Sequence, residues 1–121
     1  GPGWTQDYLL KLISMASSKI TISTNAFYET ANDPEELRSD IEVEIIKWND
    51  TNQNGILDEG EEGTVVGKKT IIKWKTEGFV LGDLYYGQGM GLILRFSAPT
   101  ISELKQGASA VFDFEFNSIQ S

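Results

Sequence analysis

The chain has 121 residues, no cysteine, no histidine and a formal net charge of −8. This length suggests one domain, and 40% hydrophobic content is enough for a packed core. The missing residue types exclude disulfides, Ser-His-Asp and Cys-His nucleophile systems and the usual zinc ligand sets. The acid excess argues against nucleic acid and anionic membranes, which need a basic footprint. The charge is uneven, with a net of −9 over residues 1–62 and +1 over residues 63–121. No apolar run reaches about 18 residues, so no membrane span is expected.

Trp4 to Ala16 carries a heavy apolar load. Trp4, Tyr8, Leu9, Leu12, Ile13 and Ala16 fit a helical stripe. The same stretch also fits a strand, with Leu10 and Leu12 on one side and Leu9, Ile13 and Met15 on the other. Residues 1–16 are therefore expected to be a donor or docking segment, and 17–121 a β-sandwich domain. Trp4, Tyr8, Leu10 and Leu12 are the candidate subunit-interface residues. Lys19 to Phe27 alternates as a strand. Asp33-Pro34-Glu35-Glu36 reads as a helix start, with Asp33 as N-cap, Pro34 at the first helical position and Glu36 in a capping-box-like pair. That short helix is expected to end near Ser39.

Ile41 to Trp48 alternates Ile41, Val43 and Ile45 against Glu42 and Glu44, and then Ile46 and Trp48 occupy the formerly polar face. Such a strand becomes apolar on both faces at one end, which marks burial under a loop or a partner. Thr64 to Lys75, containing a second Ile-Ile-Lys-Trp, is also expected to be strand-like. Further strands are expected at Gly78 to Gly82, near Leu84 to Tyr86, at Met90 to Ser97 and at Ala108 to Ser118. In the last, Ala110, Phe112, Phe114 and Phe116 face inward. Gly87 to Gly91 and Ala98-Pro99 are turns. Short strands with turn chemistry between them predict an all-β fold, a jelly-roll-like sandwich.

Between two of these strands lies Asp50 to Glu61, reading DTNQNGILDEGE. Asp50, Asn52, Asn54, Gly55, Asp58 and Glu61 take positions 1, 3, 5, 6, 9 and 12 of an EF-hand-type calcium loop. Calcium takes six to eight hard oxygen ligands, so oxygens must converge from alternate positions of one short loop. Asp50, Asn52 and Asn54 supply side-chain oxygens, Ile56 its carbonyl, Asp58 a ligand often routed through water, and Glu61 two oxygens. Gly55 permits the sharp turn, and Leu57 points away as an apolar anchor. A plain hairpin would explain Asn54-Gly55, but it does not require acids at positions 1, 9 and 12. Three charged ligands in strand-like surroundings place the affinity near 10⁻⁵ to 10⁻³ M, roughly the weak end of the range. That suits an extracellular or cell-surface setting.

No catalytic set is recognised, and the chain is not expected to be an enzyme. Gly87-Gln88-Gly89-Met90-Gly91 has the wrong spacing for a phosphate-cradling loop and lacks the following Lys and Ser/Thr.

Leu81-Gly82-Asp83-Leu84, LILRFSAP at 92–99, and Gln106-Gly107 followed by ASAVFDFEFNSIQ at 108–120 resemble the TasA/camelysin type of secreted filament proteins. That type includes subunits of archaeal bundling pili and cannula-like tubes. SSKITISTNAF at 17–27 is compatible with the family's opening strand. Two features depart from the pattern: Glu103-Leu104-Lys105 stands where Asn-Glu-Tyr is common, and the turn after Asp83 lacks Pro-Gly. The resemblance implies a jelly-roll subunit that forms a homo-polymer by donor-strand complementation, an N-terminal segment of one copy filling a strand position in the next.

Three readings follow. The first is a calcium-binding structural subunit of an extracellular filament, pilus or tube. The second is a calcium-stabilised surface or adhesive module that does not polymerise. The third is a hydrolase, carried only by the description of some camelysin-like proteins as proteases. The N-terminal stretch separates the first two: inserted in another chain for a filament, packed on its own domain for a module.

Overall fold

The computed structural model describes residues 4–98 and 107–120. Residues 1–3 of the N-terminal stretch lie outside the described residues, as do Pro99, Glu103-Leu104-Lys105 and Gln106 of the family comparison.

The strands are β1 (Trp4–Ile13), β2 (Ile20–Phe27), β3 (Glu42–Trp48), β4 (Glu62–Thr70), β5 (Phe79–Leu84), β6 (Gly89–Ala98) and β7 (Asp113–Gln120), with one helix, α1 (Ile71–Glu77), between β4 and β5. They form a four-stranded sheet of order β1-β6-β3-β4 and a three-stranded sheet of order β5-β2-β7. Every pairing is antiparallel. The expected all-β sandwich is therefore present. Within the strand order, β3 and β4 form a hairpin, and each other consecutive pair of strands lies in different sheets.

The N-terminal stretch adopts the extended alternative, not the helical one. β1 is an edge strand, and its ten residues pair without a break against β6 of the same chain, Trp4 opposite Ala98 through Ile13 opposite Gly89. Leu10 and Leu12 face the main core, whereas Leu9 joins a second cluster on the outer face. This is the two-sidedness the period-two reading gave.

β6 is the central hydrophobic element. Leu92, Ile93 and Leu94 are all buried, because successive side chains point to opposite faces and both faces are covered. Leu92 and Leu94 enter the main core with Val43, Ile45, Trp74 and the inner residues of β2. Ile93 enters the small outer cluster with Ile46 and Trp48, against which Leu9 and Leu57 pack. The apolar outer end of β3 is thus covered by the 49–61 loop and by β1.

The strand expected from Ala108 begins only at Asp113, and Gly89 to Gly91, expected in a turn, open β6. Three further local expectations are corrected. First, Ile71-Ile72-Lys73-Trp74 is helical. Thr70 Oγ1 accepts a hydrogen bond from the Lys73 amide, and Gly78, at φ 64°, closes the helix. Helical spacing puts Ile71 and Trp74 on one buried face, while Lys73 and Lys75 stay in water. The Trp74 indole donates to the Val43 carbonyl at 2.8 Å and meets Phe79 and Phe114 edge-on. Second, Asp33 is not the N-cap: it ends a 3₁₀ turn at Thr30–Asn32, and the next 3₁₀ turn, Leu37–Ser39, has Glu36 at its N-cap in a left-handed conformation. The Asp33 carboxylate still accepts from the Leu37 and Arg38 amides at 2.7 and 3.2 Å. Pro34 therefore does not open the helix, and Glu36 makes no capping box. Third, no separate strand lies near Leu84 to Tyr86. Leu84 ends β5, and the Gln88 amide turns back to the Tyr85 carbonyl at 3.0 Å.

Three substitutions test this packing. Trp74→Ala is expected to cost about 3–5 kcal/mol of unfolding free energy in urea titration, since it removes a fully buried indole from the centre of the sandwich. A Cβ at Gly91 would lie 2.4 Å from the Trp48 carbonyl oxygen, whereas one at Gly89 would meet its nearest atom at 3.4 Å. Gly91→Ala is therefore expected to cost about 1–3 kcal/mol or more, with Gly89→Ala near neutral in the same assay.

Candidate functional site

The outer face of the four-stranded sheet is organised in rows of directly opposed residues. Asp7, Arg95 and Glu44 form one row across β1, β6 and β3, and Leu9, Ile93 and Ile46 form the next. Lys11, Gly91 and Trp48 form the third, at the end where the 49–61 loop leaves β3. In the charged row, Arg95 binds Asp7 through two nitrogens at 2.8 and 2.9 Å and Glu62 at 3.0 and 3.2 Å. These hydrogen bonds, to Asp7 first and then Glu62, raise its pKa further above its usual value.

The loop's neck closes where the Asn49 amide donates to the Glu61 carbonyl at 3.0 Å. Inside, Gln53, Gly55 and Gly60 take positive φ of 55°, 73° and 85°. The glycines supply two of these left-handed turns without steric cost. The carboxylates then organise the backbone. Asp50 accepts from the Asn54 and Gly55 amides at 3.2 and 2.9 Å. Glu61 is buried, and each of its oxygens takes two donors. One accepts from the Trp48 indole at 3.3 Å and the Asp58 amide at 2.9 Å. The other accepts from the Thr51 amide at 3.2 Å and the Thr51 hydroxyl at 3.3 Å. Asp58 accepts from the side-chain amides of Asn52 and Asn54 at 3.0 and 2.7 Å.

The six residues named for metal binding thus divide. Asn52, Asn54 and Asp58, at positions 3, 5 and 9, touch one another. Asp50 and Glu61 lie on the same loop but are engaged with backbone donors and with residues outside the ligand set. Ile56 is exposed, and its amide donates to the Asn54 side-chain oxygen at 2.9 Å. No group of three or more acidic side chains among the described residues is arranged to hold a metal ion, so a complete shell would draw on the amide oxygens as well. The donor chemistry fits calcium: hard oxygens from alternate positions, with a buried glutamate at the last. Leu57 packs on the outer cluster as the expected anchor.

Sequence reasoning missed Lys11. Its ammonium lies 2.6 Å from the second Asp50 oxygen and 5.1 Å from the centre of the Trp48 ring. Gly91, between Lys11 and Trp48 in the row, presents no side chain to obstruct this reach. The Asp50 side chain is only 3% exposed, against 42% for Lys11. The hydrogen bond from Lys11, followed by those from the loop amides, holds the Asp50 carboxyl below its usual 3.8 against the opposing effect of burial. Alternation along β1 places Lys11 on the outer face with Leu9, but nothing in the sequence joins it to a loop 39 residues away.

The four interface candidates also divide. Leu10 and Leu12 pack against the core, while Trp4 and Tyr8 are exposed. Trp4, Tyr8 and Leu10 line one side of a cleft of about 570 Å³ between the sheets, faced by Phe112, Phe114 and Phe116. No helix among the described residues is long and apolar enough to cross a membrane.

Comparison with protein-family models, with curated proteins and with solved structures finds no match to this chain.

Because the folded-state pKa of Asp50 is depressed, its contribution to stability is present above the usual 3.8 and is lost as pH falls below it. Lys11→Met should accordingly lower the urea midpoint at neutral pH. The gap to the parent chain should narrow as the pH falls below the usual 3.8 and Asp50 protonates.

Proposed function

We propose that this chain is a calcium-binding structural subunit of an extracellular filament, pilus or tube, and that copies join by donor-strand complementation. The observation that supports this reading is the edge position of β1, while its pairing within its own chain is the arrangement the module reading calls for. β1 is an edge strand whose main chain pairs with β6 and with no other described strand, carries Leu10 and Leu12 into the core, and is joined to β2 through residues 14–19. A neighbour's β1 in the same position would recreate every main-chain and side-chain contact, because the two copies are identical. Such an exchange is heterologous and, where the rotation does not close, generates a filament. The resemblance to TasA/camelysin proteins points the same way. In this reading the 50–61 loop is a calcium clip of weak affinity matched to calcium-rich surroundings, and the chain has no catalytic role.

A second reading is favoured by the pairing of β1 with β6 of its own chain. There the protein is a calcium-stabilised surface or adhesive module that stays monomeric.

A disulfide separates the two. Thr5 and Ser97 are directly opposed across β1 and β6, and the chain has no other cysteine to interfere. Thr5→Cys with Ser97→Cys should lock β1 in place. Negative-stain microscopy in calcium is expected to show polymer for the parent chain, none for the oxidised variant, and polymer again after reduction. Absence of polymer in all three returns the module reading. The calcium loop is tested independently. Saturation at 100 times the dissociation constant should stabilise by about 2.7 kcal/mol, and Asp50→Ala or Glu61→Ala should abolish the calcium-dependent rise in melting temperature. An unchanged rise in both variants would reduce the loop to a turn.

A further inference from the structure

Lys11 connects the two halves of the proposed function, and the inference drawn from it rests on the calcium reading. It belongs to β1, the strand proposed to be exchanged. Its ammonium is bonded to Asp50, which holds position 1 of the loop, at 2.6 Å. The Asp50 carboxylate is nearly covered, and its oxygens already accept from Lys11 and from the Asn54 and Gly55 amides. A calcium ion entering the loop requires the same carboxylate. Two cations sharing one carboxylate repel at short range, and the low exposure of Asp50 limits screening by water between them.

We propose that Lys11 is a built-in counter-cation of the metal loop, so that calcium binding and the docking of β1 oppose each other through Asp50. Without calcium, the ammonium neutralises the carboxylate and fastens β1 to the loop. With calcium, the ammonium is displaced outward. Its partly exposed stem allows this at little cost, because a lysine can keep its methylenes along apolar surface and return its charge to water. Linkage makes the effect reciprocal: the factor by which docked β1 weakens calcium is the factor by which calcium weakens the docking.

A neighbour's β1 would carry the same Lys11 as the chain's own. Calcium therefore weakens the self-paired and the exchanged strand alike. It leaves the balance between monomer and polymer unchanged through this contact and speeds the passage from one to the other. Polymerisation would then respond to calcium first in its rate.

The test is calorimetric titration of calcium chloride into the full chain, into Lys11→Met and into Lys11→Arg, at one ionic strength. Lys11→Met keeps the apolar stem and loses the charge, and is expected to bind calcium roughly two- to fivefold more tightly, the range typical of a partly exposed ion pair. Lys11→Arg keeps the charge and is expected to stay close to the parent chain. A measurement on the parent chain needs no substitution: calcium should speed amide exchange in residues 9–13 while slowing it in β3 and β4. Equal or weaker binding by Lys11→Met, or unchanged exchange in residues 9–13 of a calcium-saturated chain, overturns the coupling and leaves the calcium loop standing. Absence of calcium binding in every form overturns the coupling and the calcium loop together.

Discussion

Gly91 stands between Lys11 and Trp48 in a row that crosses three strands, and the arrangement on either side depends on its having no side chain. The Trp48 carbonyl approaches so closely that a Cβ at position 91 would lie 2.4 Å from it. That approach sets β3 tight against β6 at the point where β3 ends and the loop begins. It also leaves an unobstructed lane over which Lys11 reaches the Trp48 ring and Asp50. A glycine in a central strand gives up conformational entropy and a packing contact. Here the loss is offset locally by the main-chain approach and by a cation that crosses from an edge strand to a loop on the far side of its neighbour.

The edge strand β1 is held in layers of unequal strength. On the inner face Leu10 and Leu12 meet the core. On the outer face Leu9 joins Ile93 and Trp48, flanked by the Asp7–Arg95 and Lys11–Asp50 pairs. Ion pairs at a sheet edge, with one partner partly in water, contribute little to stability. The apolar contacts and the main-chain ladder therefore carry the docking, and the charges set its register. A slip of one residue along β6 would turn Leu10 and Leu12 outward and part both pairs at once. Most of β1 remains exposed. It combines a well-defined register with a modest buried area, the combination a strand needs if it is to leave one sheet and find the same place in another.

The strands and the faces they present were largely legible in the sequence, because a two-residue period survives wherever one face meets the core. The alternation of Phe112, Phe114 and Phe116 and the two-sided end of β3 both follow from it. The helix was not legible from composition. Ile45-Ile46-Lys47-Trp48 is strand and Ile71-Ile72-Lys73-Trp74 is helix, so four identical residues adopt opposite conformations. The difference lies outside them. Thr70 and Gly78 supply a cap and a stop, and a turn of helix brings Ile71 and Trp74 to one side where the sandwich has room for both. The loop's candidate donor spacing could be proposed from the sequence because all its members are local. Lys11 could not, because its contact depends on β1 and β3 flanking β6, which no local pattern specifies.

On the proposed calcium reading, the same topology separates this loop from a calcium sensor. A sensor loop joins two helices whose angle changes when the ion enters, and the signal is the surface that the change uncovers. Here the loop joins two paired strands, its neck is closed by the Asn49 amide on the Glu61 carbonyl, and Leu57 is fixed to the outer cluster. There is no pair of elements free to swing. An ion in this loop would act on what already touches its ligands. Glu61 is tied to Trp48 and Thr51 and would transmit nothing beyond rigidity, since all of these belong to the hairpin itself. Asp50 is tied to a residue of another strand at the sheet's edge. On the proposed reading, the mobile partner of this loop is therefore neither a helix nor a ligand but the N-terminal strand, and Asp50 is the contact through which the ion would act on it.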